Sequence, residues 1–174
     1  MMTPGLRKFT LTAHVTTSVG WLGAVAAFLV LAAAGLASTD AQLVRAAYLM
    51  MDLLGWFLIM PLSLGSLLSG LVQGVGTRWG LFQHYWVLIK LLMTALATLV
   101  LLLHMEPISS LSRLARETLF TPLEFHALRV QVAVDAGAAL LVLLVATVMS
   151  VYKPRGLTRY RRRRQERETA LQSD

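Results

Sequence analysis

Between Leu81 and His104 the chain runs for 24 residues (LFQHYWVLIKLLMTALATLVLLLH) with one full charge, Lys90. At about 1.5 Å of rise per residue this is roughly 36 Å of helix, enough to cross a bilayer with some tilt. The stretch also carries a histidine near each end, His84 and His104. Any fold for this chain has to place such a segment in hydrocarbon and give its polar residues something to do.

Composition extends the argument to the whole sequence. Of 174 residues, 56% are hydrophobic and 14% charged, with a mean hydropathy of +0.65. Soluble domains carry about a quarter charged residues. The class is therefore an all-α integral membrane protein of one domain. There are no cysteines, which removes disulfides, iron–sulfur clusters and thiolate metal sites. The net charge of +7 suggests nucleic acid until it is located: eight of the sixteen Lys and Arg residues lie between Lys153 and Arg167. The basicity belongs to a tail, so nucleic acid is not expected as a partner. Residues 1–153 are expected to form a four-helix transmembrane domain and 154–174 a basic tail.

Four spans follow from the charge-free runs. Phe9 to Ala37 holds no charge; a secretory signal would have an apolar region of about 7–15 residues, so a retained helix is expected. Ser38, Thr39 and Asp40 form a turn and helix-start signal. The second span runs from about Val44 to Val75 and should kink at Pro61. Ser66, Gly70 and Gly74 make a small-residue stripe on it, as Gly20, Gly23, Ala24 and Ala27 do on the first span, and such stripes allow close helix packing in lipid. A tight loop over 76–80 makes the second and third spans antiparallel neighbours. After His104, Ile108, Leu111, Leu114 and Leu119 alternate with charged and hydroxyl residues, which predicts a short amphipathic helix on the membrane surface. The fourth span follows Pro122 and ends at Lys153-Pro154.

The expected architecture is an up-down-up-down bundle with the surface helix between helices 3 and 4. Basic residues flank the termini and the loop carrying Arg78. The positive-inside rule then puts both termini in the cytoplasm, in a bacterial inner membrane. The tail is either this topology signal alone or also a site for anionic lipid headgroups.

Depth sorts the histidines. His14 lies about 9 Å past Lys8 and His84 about 6 Å past Gly80, both on the cytoplasmic side. His104 and His126 lie on the outer side. Two histidines at one depth on different helices are what a b-type haem requires; copper or zinc could use the same residues but would want further ligands. His14, Thr17, Ser18 and Trp21 share one helical face, polar and aromatic, and so expected inside. His84 and His104 are separated by about 200° of net rotation, which favours a single site at His14, His84 and Trp21 over two stacked haems. The competing reading makes His84 and His104 interfacial caps, like Tyr85 and Trp86.

Lys90, Asp52 and Asp135 are intramembrane charges, each costing at least about 2.5 kcal/mol at mid-depth if alone. Depth counting from the span ends pairs Lys90 with Asp135; a proton relay through Asp135 and Asp52 is the functional alternative. No phosphate loop, nucleophile elbow, HExxH or paired-carboxylate arrangement is present.

His14-Val-Thr-Thr-Ser-Val-Gly-Trp21-Leu-Gly23 resembles the first-helix pattern of the copper-resistance D membrane domain. With Thr77-Arg-Trp-Gly-Leu-Phe-Gln-His84-Tyr-Trp-Val-Leu-Ile-Lys90 and Val151-Tyr-Lys-Pro-Arg-Gly156, most of the chain resembles an uncharacterised family of four-helix bacterial membrane proteins. That resemblance implies the fold and no activity. Its members often carry histidine where this chain has Asp135, which weighs against a ligand role for the fourth span. Three functions remain open: a haem- or metal-binding redox protein exchanging electrons with a quinone or membrane partner, a non-catalytic accessory or assembly subunit without a cofactor, and a small proton-coupled carrier.

Overall fold

The computed structural model describes residues 2–76, 85–116 and 126–152. The 76–80 loop beyond Gly76, His84 and the basic tail lie outside them. All elements among the described residues are helical: α1 (Pro4–Ala37), α2 (Ala41–Leu54), a π-helical turn (Gly55–Ile59), α3 (Met60–Gly76), α4 (Tyr85–Arg116) and α5 (His126–Tyr152). Taken with α2 to α3 as one continuous unit, four helices are long and apolar enough to cross a membrane.

Thr3 starts α1 by accepting the Leu6 N–H at its hydroxyl, with Pro4 at the first helical position where no donor is needed. Between α1 and α2, Asp40 caps the next helix through Gln42 N–H at 2.9 Å and is itself held by the Ser38 hydroxyl. The start signal at residues 38–40 is thus realised as an N-cap.

Pro61 acts one turn upstream of itself. It has no N–H for the Phe57 carbonyl and its ring crowds that group. The backbone answers by widening over Gly55–Ile59, where the Met60 N–H reaches back five residues to the Gly55 carbonyl. The disturbance expected at the proline therefore appears as a π-turn in an unbroken helix.

Among the described residues, the surface helix expected after His104 does not form a separate element. Its residues up to Arg116 continue α4 through Pro107, which lies inside the helix. Met105, Ile108, Leu111 and Ala115 are buried in the core rather than lying on a surface. Apolar residues on one helical face serve a lipid surface and a protein neighbour equally, and here the neighbour is α2. Met105 lies against Gly55, Ser109 bonds Asp52, and the Arg45 guanidinium donates to the Arg116 carbonyl.

α1 packs against α2, α3 and α5. Its buried stripe Trp21, Ala24, Val25, Phe28 and Ala32 belongs to one apolar core with Val44, Tyr48 and Met51 of α2, Leu111 of α4, and Val132 and Ala136 of α5. This core occupies the half of the bundle near the 38–40 turn. The other half, toward Met2 and Gly76, is held by small and polar side chains.

Candidate functional site

In that second half, α1 and α3 meet along a polar seam. His14, Thr17 and Ser18 face Gly65, Ser66, Ser69 and Gly70 of α3, the same i, i+3, i+4 face that the sequence singles out. The His14 Nδ1 atom lies 3.1 Å from the Ser66 carbonyl and 3.1 Å from the Ser69 hydroxyl. The Ser69 proton is committed to the Gly65 carbonyl at 2.6 Å. Nδ1 must therefore carry the hydrogen and donate, which leaves the lone pair on Nε2.

Neighbouring bonds fix the seam. The Ser18 and Ser66 hydroxyls are 2.7 Å apart, and Gln73 Nε2 donates to the Thr10 carbonyl at 2.9 Å. Gly70 is needed for closeness: a Cβ there would stand 3.1 Å from His14 Cε1. The α3 side of the ring is thus filled by backbone, so a guest of His14 would have to approach from another side. Lys90 of α4 is within electrostatic reach of His14 and stands over the Trp86 ring at 5.4 Å. Trp21, about two turns along α1 from His14, is 3% exposed and belongs to the core; its Nε1 has no hydrogen-bond partner among the described residues.

The remaining expected residues distribute differently. Asp135 lies 3.0 Å from His104 Nε2, so its ion-pair partner is His104 and the expected Lys90–Asp135 pair is replaced. Depth counting erred because α4 extends twelve residues beyond His104, which moves the level of every α4 residue against α5. Asp52 accepts from Ser109 at 2.9 Å, and Ser109 in turn accepts from Trp56 Nε1 at 3.2 Å. His126 is exposed at the first position of α5, away from His104. Among the described residues no group of three or more His, Cys, Asp or Glu side chains could hold a metal ion.

Arg129 is the residue that sequence reading passed over. It is 3% exposed, donates to the Gly35 carbonyl, to the Leu36 carbonyl at 3.5 Å and from Nε to the Tyr48 hydroxyl at 3.1 Å, and stands over the Tyr48 ring. α1 has no basic residue in its last turn and no glycine cap, so its final carbonyls need donors from elsewhere. A guanidinium from another helix supplies them and meets the negative end of the helix dipole. The available signal was a lone arginine just inside an apolar span.

Comparison with family models, curated proteins and solved structures returns no match for this chain.

Proposed function

We propose that this is a four-span integral membrane protein of the bacterial inner membrane, up-down-up-down with both termini cytoplasmic, and that it binds a b-type haem or a metal ion at His14. The carrying observation is the tether on His14: Nδ1–H is held by Ser66 and Ser69, which presents the Nε2 lone pair in a fixed direction. Metal-ligating histidines have this outer-shell arrangement. His14 would supply one ligand to such a group, and His84, just before α4 in the sequence, would be the candidate for a second. A haem at this place would supply one-electron transfer, with a quinone or a membrane partner as the other redox agent. The chain's own residues would orient the ring and exclude water. Lys90 would add a positive charge beside the guest, favouring an anionic group or electron there.

A second reading has its own support. The hydroxyls and amide of the seam satisfy one another without a guest, as a helix-to-helix latch would, and this favours a non-catalytic accessory or assembly subunit.

The absorption spectrum of the full chain purified from haem-replete cells separates the two. A Soret band lost in His14→Ala and in His84→Ala supports haem, and one equivalent of a transition metal with the same losses supports a metal site. A colourless, metal-free preparation leaves the latch.

A further inference from the structure

We propose that His104 and Asp135 form a proton-binding site inside the bundle, holding one exchangeable proton between α4 and α5. The site is separate from the His14 seam and does not rest on the cofactor reading.

The geometry carries it in two steps. His104 Nδ1 is 2.8 Å from the Val100 carbonyl one turn back, and a carbonyl can only accept, so Nδ1 bears a hydrogen. That leaves the lone pair of the neutral ring on Nε2, which stands 3.0 Å from Asp135 Oδ2 without being in line for a hydrogen bond to it. Two bare acceptors at that distance repel, so the arrangement holds only with a proton between them. The proton sits either on the imidazolium, as N–H facing carboxylate, or on the carboxyl, as O–H facing the ring. In both forms the pair is neutral overall, as a membrane-embedded pair should be. The second step concerns Oδ2 itself, which is buried and has no aligned donor among the described residues. Without the shared proton it would be a stranded acceptor in a low-dielectric place.

The charged surroundings do not offer a substitute. On α4, Glu106 is bonded to Arg113 on the exposed side, and Lys90 is fourteen residues away, about 21 Å along the helix. On α5, Arg129 is spent on α1 and Tyr48. On α2, Asp52 is held by Ser109. Between Val15 and Thr39 α1 and its following turn have no titratable group, and α3 has none.

The rest of both side chains is partly open, 30% for His104 and 35% for Asp135. Beyond them α4 carries Glu106 and Arg113, exposed and bonded to each other. A proton exchanging through the open part of the pair bridges Nε2 and Oδ2. When it leaves, a net negative charge and two bare acceptors remain between α4 and α5. Occupancy is therefore coupled to how closely those two helices pack.

The test uses the full chain with nitrogen-labelled histidine in lipid nanodiscs at neutral pH, with the His104 signals assigned by His104→Gln. The expected result is a proton resonance coupled to Nε2, shifted far downfield by its hydrogen bond and lost in Asp135→Asn. Ring nitrogens identical in wild type and Asp135→Asn, or an Nε2 with no hydrogen-bonded proton in the wild type, overturn the proposal. If Asp135→Asn does not fold, the reciprocal experiment reads the Asp135 carboxyl by infrared difference in His104→Gln. A carboxyl band that changes supports the shared proton, and an unchanged band overturns it.

Discussion

At the scale of single residues, two arginines do what no apolar side chain could. Arg129 and Arg45 each bring a guanidinium to the carbonyl end of another helix, α1 and α4 respectively. The planar fork suits this task because several N–H groups leave it in fixed directions, so one side chain serves two carbonyls and a phenol. Arg129 is buried and Arg45 exposed, and only the buried one should matter much to stability. Arg129→Ala strands the Gly35 and Leu36 carbonyls and the Tyr48 hydroxyl, and at about 1 kcal/mol or more per stranded group it should cost at least about 3 kcal/mol. Arg129→Lys should recover less than half of that, because an ammonium cannot reproduce the fork. Arg45→Ala should change stability by less than about 0.5 kcal/mol. Unfolding of the three variants in mixed micelles by denaturant checks the ranking. Equal losses for Arg129 and Arg45 would show that burial is not what gives Arg129 its weight.

At the scale of elements, the bundle combines two kinds of contact. The α1–α2 end is packed by bulky groups, whereas α1 and α3 approach closely because glycine and serine stand opposite His14, Thr17 and Ser18. Gly70→Ala brings a methyl to 3.1 Å from His14 Cε1, which a shift of a few tenths of an ångström in the ring can absorb. Gly70→Leu cannot be absorbed that way and should cost about 1–3 kcal/mol as overpacking. If His14 holds a haem or metal, the same substitution should also remove the colour or the metal, by turning the tethered ring. Thermal melts and spectra of the pair check both parts, and a Gly70→Leu protein as stable as the parent would contradict the closed seam. The elements were largely legible in the sequence, for identifiable reasons. The charge-free runs gave the spans, the 38–40 turn gave a helix start, and the His14, Thr17, Ser18 spacing gave a protein-facing side. What was not legible depended on partners. Nothing in Ile108, Leu111 and Ala115 says whether lipid headgroups or α2 will cover them. Likewise Asp135 is near mid-span by counting, and its meeting with His104 follows only once α4 is seen to pass through Pro107 without ending.

For the whole molecule, the described contacts assign each terminus of a span to one of two ends. Met2 N–H reaches the Gly76 carbonyl at one end. At the other, Gly35 meets Tyr48 and Arg129, and Arg45 meets Arg116. Successive spans that start and finish this way alternate in direction, which supports the up-down-up-down reading. Charge then decides which end faces the cytoplasm. The second end has Arg45, Arg113, Arg116 and Arg129, of which Arg129 is buried and Arg113 is bonded to Glu106, whereas Arg7 and Lys8 stand exposed at the first end and half of the basic residues follow the fourth span in the sequence. The positive-inside rule counts such flanking cations, which supports the proposed orientation with the first end inside. The absence of cysteine makes a direct check simple, since any introduced thiol is unique. Thr39→Cys lies in the exposed turn between α1 and α2, and it should react with a membrane-impermeant thiol reagent added to intact spheroplasts. A cysteine added after Asp174 should react only once the membrane is opened. The reverse pattern would invert the protein and put the His104–Asp135 pair on the cytoplasmic side. Labelling of both sites in intact spheroplasts would break the four-span topology itself.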